Sequence, residues 1–422
     1  MVSSEAIKET SESQSIHRID RFGIKGVLRS AAIFGANGSG KSNLVLSLRA
    51  LKGLVLGSLE SIAIAPIRTI TPFLLKTDHY DTPTEFEVSI LAEDNLYRYG
   101  ISIRDDEIEE EWLYWNKTTA RETMLFHRTK KTINFNARSF SEAKSFVKRD
   151  GDIWSIEKTK PQVPFLSVLS QFDGERSSVV TRWFERLKII SGIQERYFRD
   201  YTYMLFEKNP DFKAWALKIL KSLQIKDVSI VERAAELPAY AKEIEDKELQ
   251  DAFSGLKRYL EKNKIKEEEV VVTKVTTDGE SISLPLDIES EGTVKLICLL
   301  GPLYDAITSN VILVVDEFDN RFHALMSRFI IELYSKQSLG QSQIILTCHD
   351  TNLLTGDLFR RDQIWFVEKD SSHESKIFSL AEYVEHFTQG GQSYSRNYLL
   401  GEYGAIPLFS SISALGEFHN DK

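Results

Sequence analysis

The 422-residue sequence contains little cysteine and no long apolar segment. Its two thiols, Cys298 and Cys348, lie far apart and form no CxxC pair, which excludes a readable disulfide framework or zinc knuckle. So few cysteines are typical of a reducing compartment, and we expect a cytoplasmic location. No apolar run approaches the roughly 20 residues of a membrane-spanning helix, because the best one, residues 296–300, is interrupted by Gly301 and Pro302. We therefore predict no membrane partner.

Charge and composition exclude further classes of protein. The first 15 residues are polar and lack the apolar core of a signal peptide. Hydrophobic residues make up 42% and charged residues 27% of the chain, as in ordinary globular proteins. The net charge of −9 argues against a surface that coats duplex DNA throughout, whereas a local basic groove remains compatible with it.

One segment, residues 35–42, matches the pattern G-x-x-x-x-G-K-[ST] at every fixed position. It follows a short apolar run at 30–34, which predicts a buried strand. It precedes residues 43–51, whose leucines recur at helical spacing. Strand, glycine-rich turn and helix together form the context in which this pattern binds phosphate, because the helix start offers unpaired N–H groups and a positive dipole end.

The pattern assigns chemistry to two side chains. Lys41 would reach the β- and γ-phosphates of ATP, and the hydroxyl of Ser42 would bind Mg²⁺. The alternative is a Gly/Ser-rich loop that only turns the chain. The residues of this loop that we predict to contact the nucleotide are Gly35, Asn37, Gly38, Ser39, Gly40, Lys41, Ser42 and Asn43.

A second segment, residues 311–317, consists of five apolar residues followed by two carboxylates. Such a run predicts a strand buried on both faces, as in a parallel sheet. Asp316 would then lie at the carboxyl edge of the sheet and support Mg²⁺. Glu317 is the candidate that orients or deprotonates the attacking water. The alternative is a strand end followed by an acidic turn.

Residues 343–349 form another apolar run, which ends in His349. The order of phosphate loop, strand with Asp-Glu and strand with His resembles ABC-type ATPase heads, including their RecF and SMC branch. The resemblance implies that His349 contacts the γ-phosphate and that Asp319 is the D-loop aspartate. It also places a signature helix, which faces the phosphate loop of a second subunit, at Ser290 and Gly292. These two residues depart from the transporter sequence LSGGQ, and an ordinary N-capped helix is the alternative.

Longer motifs narrow the resemblance, and they lie at residues 290–293, 316–319, 347–354, 360–369 and 398–407. They are similar to bacterial AAA/ABC-type ATP-binding proteins of anti-phage defence and abortive-infection loci, such as the ATPase component (AriA) of PARIS systems. The resemblance implies a switch that binds and hydrolyses ATP, forms homodimers or higher oligomers through its heads, senses a phage-encoded trigger, and holds or releases a toxic effector such as a nuclease. Relatives carry strands before the phosphate loop, and we expect the first of these to be missing here.

Together these features predict an α/β fold, namely a P-loop ABC-type ATPase head with a parallel core sheet, an antiparallel β-subdomain and an inserted helical lobe. We divide the head into residues 1–160 and 269–422, with the helical lobe at 161–268. Alternating apolar and polar residues between 86 and 135 predict the β-subdomain. Apolar stripes at helical spacing between 178 and 262 are expected to be core, and residues 269–275 to return to the core sheet as a strand.

Residues 117–160, from Lys117 to Lys160, hold eleven Lys/Arg against five Asp/Glu. This stretch could face nucleic acid, bind a protein ligand, or form a solvated hairpin edge. Two rival functions stay open, a RecF-like DNA-repair ATPase and a scaffold that binds ATP without hydrolysing it. We find no nuclease pattern within the chain, so nuclease activity would come from a partner.

Overall fold

The structure, a computed structural model, describes residues 1–3, 15–57, 66–76, 81–117, 121–191, 195–234, 246–263, 266–338, 340–383 and 394–406. In these ranges, no helix has both the length and the apolar character needed to cross a membrane.

The described residues form runs of strands separated by helices. The strands are β1 (Ile16–Arg21), β2 (Ile24–Leu28), β3 (Ser30–Phe34), β4 (Thr84–Ala92), β5 (Asn95–Arg104), β6 (Glu107–Asn116), β7 (Thr123–Thr129), β8 (Thr132–Phe135), β9 (Val147–Asp150), β10 (Ile153–Ile156), β11 (Leu187–Ile190), β12 (Ile225–Ala234), β13 (Lys266–Val275), β14 (Ser281–Pro285), β15 (Ile312–Val315), β16 (Gln343–Thr347), β17 (Ile364–Lys369) and β18 (Ser375–Ser379). The helices are α1 (Lys41–Gly57), α2 (Phe165–Gln171), α3 (Glu175–Arg186), α4 (Glu195–Lys208), α5 (Pro210–Leu220), α6 (Lys247–Lys262), α7 (Glu291–Thr308), α8 (Ala324–Gln337) and α9 (Tyr394–Leu399).

The central sheet has the order β11-β15-β16-β3-β17-β18. Neighbouring strands run parallel from β11 to β17, and β18 pairs antiparallel with β17. All four residues of β15 are buried, and so are four of the five residues of β3. Continuous apolar runs form such strands because a parallel sheet is covered on both faces. The predicted parallel core sheet is confirmed.

Two strands, β1 and β2, precede β3 and the phosphate loop, which contradicts the expectation that the first strands would be missing. β1 and β2 form an antiparallel hairpin that is a separate two-stranded sheet, and Val2 bridges to Val27. β1 escaped detection because His17, Arg18 and Asp20 interrupt its apolar pattern and most of it is partly exposed. A strand of this kind carries a weak periodic signal.

The antiparallel β-subdomain is also confirmed, with the strand order β4-β5-β6-β7-β8-β10-β9. Alternation is clearest in β4, whose residues pair in unbroken register with β5 from Thr84–Ile103 to Ala92–Asn95. Its inner face joins the core formed by α1, α2 and α3, where Phe126 stacks on Phe140 with ring centroids 5.3 Å apart. The sheet therefore builds one core with the helix that follows the phosphate loop.

A buried ion pair ties this sheet to α2. The Glu111 carboxylate accepts hydrogen bonds from the backbone N–H groups of Phe165 and Leu166, at 2.7 and 3.0 Å, and so caps the helix. Arg128 donates to Glu111 at 3.2 Å and to the carbonyl of Val163 at 2.9 Å. Both charged side chains are at most 2% exposed. Burial raises the pKa of Glu111, and the charge of Arg128 opposes that shift.

The chain divides into two compact units that differ from the predicted domain boundaries. The first contains the described residues within 1–192 and 305–422, and the second those within 193–304. Residues 165–190, assigned above to an inserted helical lobe, belong to the first unit, and β11 is a strand of the central sheet. Its four residues place apolar side chains at both strand and helix spacing, so periodicity alone could not distinguish the two.

The second unit is a mixture of helix and sheet rather than a helical lobe. β12, β13 and β14 form their own antiparallel sheet, so the strand predicted to return to the core sheet does not do so. Phe212 of α5 packs edge-on against Phe206 of α4 and Tyr304 of α7, with centroids 4.9 and 5.4 Å apart. The apolar stripe of α5 is thus core, as predicted.

The apolar stripe on α6 was also predicted to be core, and this prediction is wrong. Leu249, Leu256 and Tyr259 are 50%, 45% and 59% exposed. The stripe has the correct helical spacing, but periodicity reports only that one face is apolar, not what covers it. By contrast, the leucines at helical spacing on α7 predict one buried face. They are at most 5% exposed, namely Leu296, Leu299, Leu300 and Leu303.

Candidate functional site

Three neighbouring strands of the central sheet end at the predicted site. β3 leads into the phosphate loop, β15 leads into Asp316, and β16 leads into His349. β16 lies between the other two, so their carboxyl ends meet at one edge of the sheet. The structure therefore brings together the segments that are separated by some 270 residues in sequence.

The phosphate loop packs closely against the β17–β18 hairpin. Gly35 has φ of +154°, and a Cβ there would lie 2.4 Å from the carbonyl oxygen of Val367. Gly40 has φ of +110°, and a Cβ there would lie 2.3 Å from Oγ of Ser375. That hydroxyl donates to the carbonyl of Ser39 at 2.7 Å. Glycine is needed at both positions because only it allows this approach.

Lys41 begins α1 and is buried, with 5% exposure. Its ammonium group donates to the carbonyl oxygens of Gly35 and Ala36, at 2.7 and 3.1 Å. Burial lowers the pKa of Lys41, and nearby acidic groups, with Asp316 first among them, oppose this shift. The ammonium therefore lies inside the loop and within the electrostatic reach of the carboxylates that follow β15.

A cavity of about 810 Å³ opens along the loop and the start of α1. This is a volume typical of small-molecule sites. Its walls are residues 37–43, Glu317, residues 319–322, His349 and Asp350. Its lining includes seven of the eight predicted loop residues, Gly35 being the exception. It also includes four residues that were not predicted to be part of the site, namely Asn320, Arg321, Phe322 and Asp350.

The donors of this cavity fit a phosphate chain. The first N–H groups of α1 have no acceptor within the helix, and Ser42 and Asn43 are exposed there. Gly38 has φ of +76° and open space around its Cα. Within the described part of the chain, the hydroxyl of Ser39 is buried and lacks a hydrogen-bond partner. The loop thus offers a cradle of donors and one orphaned hydroxyl.

The two carboxylates after β15 are held by β16. Oδ1 of Asp316 accepts a hydrogen bond from Oγ1 of Thr347 at 2.5 Å. The N–H of Glu317 donates to the same hydroxyl at 2.7 Å, and Glu317 has φ of +48°. Glu317 lines the cavity, and Asn320 donates to its carboxylate at 3.2 Å. Sequence inspection did not single out Thr347, which lies two residues before His349.

Asp319 holds the loop that carries His349. Its Oδ2 accepts hydrogen bonds from the N–H groups of His349, at 2.7 Å, and Asp350. Its Oδ1 is buried and has no partner among the described residues. Partial burial and the charge of Lys41 lower the pKa of His349, so the imidazole is neutral near pH 7.

The predicted signature residues lie in the second unit, at the start of α7. Oγ of Ser290 accepts a hydrogen bond from the N–H of Thr293 at 3.2 Å and lies 2.9 Å from Oγ1 of Thr293. This is the geometry of an N-cap. Gly292 is partly exposed in the first turn. Taken alone, the segment has the form of the ordinary capped helix that was the alternative prediction.

The helical spacing of Phe322, Leu325 and Phe329 predicts a helix that begins at Phe322 and buries these residues. Helix α8 instead begins at Ala324, and two of them are exposed, Leu325 by 70% and Phe329 by 45%. Ser327, Ile330 and Tyr334 form the buried face together with Ile331. The exposed apolar residues lie three and seven positions after Phe322, which lines the cavity.

The basic stretch is less basic at its surface than its sequence indicates. Arg128 is buried in the ion pair with Glu111, and His127 lies 3.0 Å from Glu110. Two of the other cations in this stretch lie against aromatic rings. Arg149 is 5.7 Å from the ring centroid of Trp154, and Lys158 is 5.8 Å from that of Phe146.

Fold and site together define a P-loop nucleotide-binding protein. Residues 30–355 match the family described as "AAA domain, putative AbiEii toxin, Type IV TA system". The chain belongs to this family, and it is an ATPase that binds ATP.

Several solved structures are similar to this chain at low sequence identity. An Smc head bound to the C-winged helix domain of ScpA is 15% identical with a TM-score of 0.42, and the match covers 86% of this chain and 95% of that one. The Smc head domain from Thermotoga maritima is 14% identical with a TM-score of 0.34, over 86% and 97% of the two chains. The recombination mediator RecF is 12% identical with a TM-score of 0.29, over 86% and 96%. No curated protein matches the chain.

Proposed function

We propose that the protein is an ATP-hydrolysing switch of a bacterial anti-phage defence system. The observation that carries the proposal is the meeting of three elements at one sheet edge: the phosphate loop with Lys41, the Asp316–Glu317 turn, and the loop of His349. A protein that only binds ATP as structural glue needs no group to position water. The retention of Glu317 and His349 in the cavity therefore favours hydrolysis over a passive scaffold.

Each residue has a distinct part in the proposed reaction. The loop N–H groups and Lys41 bind the phosphates, and Glu317 orients the attacking water or accepts its proton. His349, neutral near pH 7, hydrogen-bonds the γ-phosphate. Ser42 and Asp316 would hold Mg²⁺, which takes oxygen ligands and usually keeps few protein ones. When bound, Mg²⁺ neutralises charge between the β- and γ-phosphate oxygens.

We propose that two copies of the chain close around two nucleotides. The exposed side chains of Leu325 and Phe329 support this, because apolar residues exposed on the helix that follows the cavity-lining segment are suited to burial against another surface. In the closed dimer Ser290 and Gly292 of one copy would face the γ-phosphate bound by Lys41 of the other. Asp319 would lie at the same junction.

The defence role is supported by the family description, which links this type of domain to a toxin–antitoxin system. We propose that the closed state holds a toxic effector, such as a nuclease, and that a phage-encoded trigger changes the nucleotide state and releases it. The effector is assigned to a partner chain because the sequence contains no nuclease pattern.

The test is Glu317→Gln, which removes the base and keeps the shape. We expect turnover to fall by roughly 10²–10⁴-fold while ATP binding persists and ATP-dependent dimers accumulate. Light scattering and single-turnover assays measure these effects. Glu107→Gln, an exposed glutamate at the start of β6, is the matched control and should behave like the original protein. Unchanged turnover in Glu317→Gln would refute the assignment of the base.

Proteins that co-purify with Glu317→Gln in ATP identify the partner. A nuclease subunit supports the defence role. A RecF-like ATPase that acts on DNA is the second candidate, and the two cation–aromatic pairs at Trp154 and Phe146 favour it, because such pairs recur in single-strand binding surfaces. It predicts DNA in the purified material and turnover stimulated by DNA in a salt-dependent manner.

A further inference from the structure

Thr347 occupies a special position between the two halves of the site. It is the last residue of β16 and is fully buried, with 0% exposure. β16 lies beside β15 in parallel register, with Leu346 opposite Val315, so Thr347 is level with Asp316. The carbonyl of Thr347 also accepts a hydrogen bond from the N–H of Phe318 at 3.0 Å. Both the side chain and the backbone carbonyl of Thr347 thus bind the turn that follows β15.

The donor and acceptor roles of the Thr347 hydroxyl follow from the chemistry of its two partners. The N–H of Glu317 can only donate, so the hydroxyl oxygen accepts that bond, of 2.7 Å. The hydroxyl hydrogen is then directed to Oδ1 of Asp316, 2.5 Å away, which as a carboxylate oxygen can only accept. A charge-assisted bond of this length is strong.

Through these two bonds, Oγ1 of Thr347 holds both Asp316 and Glu317. The bond from Thr347 holds Oδ1 of Asp316, which also accepts the N–H of Glu317 at 3.2 Å, so Oδ2 is the oxygen that would bind the cation. The bond from the Glu317 N–H supports the left-handed backbone at φ of +48°, which is costly for a residue other than glycine. That backbone directs the Glu317 side chain into the cavity wall.

We propose that Thr347 is a positioning residue for the ATPase reaction, which orients Asp316 for Mg²⁺ and Glu317 for water. The inference rests on the proposed function of these two carboxylates. Replacing a residue that hydrogen-bonds a metal ligand typically lowers metal affinity or activity by about 10–100-fold. Thr347 therefore acts on the metal-dependent part of nucleotide binding and not on the contacts of the phosphate loop.

The experiment compares Thr347→Val, which keeps the shape and removes the hydroxyl, with Thr347→Ser, which keeps the hydroxyl. A fluorescent ATP analogue is bound in EDTA and then during a MgCl₂ titration, and turnover is measured in parallel. Thr123→Val, on β7, controls for the loss of a hydroxyl elsewhere in the first unit.

We expect Thr347→Val to raise the Mg²⁺ concentration at half-saturation by about 10–100-fold and to leave binding in EDTA unchanged. Thr347→Ser should restore the original Mg²⁺ dependence. Three results overturn the inference while the proposed function survives: an unchanged Mg²⁺ dependence in Thr347→Val, equal defects in the Val and Ser variants, or equal losses with and without Mg²⁺. If the unaltered protein itself shows no Mg²⁺-dependent binding, the proposed function and this inference both fail.

Discussion

Two helix N-termini in this chain were predicted to meet phosphate, and their local structures differ. At α1 the preceding loop is fixed from outside by Val367 and Ser375, and the first turn contains no acidic residue. At α7 the first turn contains Glu291, and Ser290 satisfies the N–H of Thr293 itself. A negative side chain and a satisfied donor both disfavour an anion.

The difference shows what a phosphate site requires beyond a helix start. Any helix has unpaired N–H groups and a positive dipole end. At α1 these donors remain available because the glycine-rich loop packs closely against its neighbours. At α7 the helix caps itself in the ordinary way. In the proposed dimer, the phosphate ligand of Ser290 would come from the second copy.

The largest expected effect is at the α1 site. Lys41→Ala removes the buried ammonium, and we expect turnover to fall by roughly 10²–10³-fold, the usual consequence of deleting one preorganised electrostatic contact. ATP binding should weaken in the same variant. Steady-state ATPase assays and nucleotide titration measure both effects. The control is Lys52→Ala on the same helix, where the ammonium donates to the carbonyl of Leu187. A similar loss in that variant would contradict a specific role of Lys41.

The close packing of the loop predicts opposite outcomes for one glycine within it and one glycine in the helix that follows. Gly40→Ala should destabilise the protein by about 1–3 kcal/mol and weaken nucleotide binding, because its Cβ would lie 2.3 Å from Oγ of Ser375. Gly53→Ala, inside α1 with no atom within 4 Å of the added Cβ, should stabilise it by about 0.5–1 kcal/mol. Chemical denaturation measures both. Equal effects would show that the loop does not require glycine at residue 40.

Ser290→Asp distinguishes the role of Ser290 as a helix cap from its proposed role in binding a phosphate of a second copy. Aspartate caps a helix about as well as serine, so we expect stability to change by less than about 0.5 kcal/mol. Its charge would repel a phosphate from a second copy. In the Glu317→Gln background the ATP-dependent dimer should therefore weaken at least about tenfold, or 1.4 kcal/mol. Analytical ultracentrifugation measures the dimer. A dimer of unchanged strength would leave Ser290 as a helix cap and nothing more.

The smallest expected effect is the shift that the charge of Lys41 causes in the pKa of His349. The pKa of His349 is lowered from 6.5 by partial burial and by Lys41. Between the folded pKa and 6.5 the unfolded chain binds more protons, so stability is lost as the pH falls through this window. His349→Gln should abolish that part of the pH dependence.

NMR titration of the histidines measures the shift directly. The chain has eight histidines, and the signal absent from His349→Gln identifies the right one. We expect a pKa below 6.5, and a higher value in Lys41→Ala than in the unaltered protein. An equal pKa in both would mean that Lys41 does not act on the imidazole.

Much of the site could be predicted from the sequence because its residues are adjacent to strongly patterned strands. The glycines of residues 35–40 and the carboxylates after β15 are recognised by spacing alone. Thr347 and Ser375 could not be found in this way. Their roles depend on which strands are neighbours and in what register, and these are properties of the sheet rather than of any local segment.

The fold was predictable where periodicity is long and failed where it is short or one-sided. The alternation of β4 and β5 identified the β-subdomain, whereas the four residues of β11 were absorbed into a helical pattern. The stripe on α6 shows the other limit. An apolar face indicates that burial is favourable, but among the described residues Leu256 and Tyr259 are left 45% and 59% exposed.

The buried pair of Glu111 and Arg128 restricts how this sequence can change over evolutionary time. Replacing either residue alone would leave an uncompensated charge in the core, at a cost of about 3–5 kcal/mol, which is a large part of the stability of a typical domain. Accepted changes must therefore be paired, or must pass through an intermediate that other substitutions have first stabilised. Since the carboxylate also caps α2, we expect the β-subdomain and that helix to be inherited together across homologues and to tolerate recombination poorly between them.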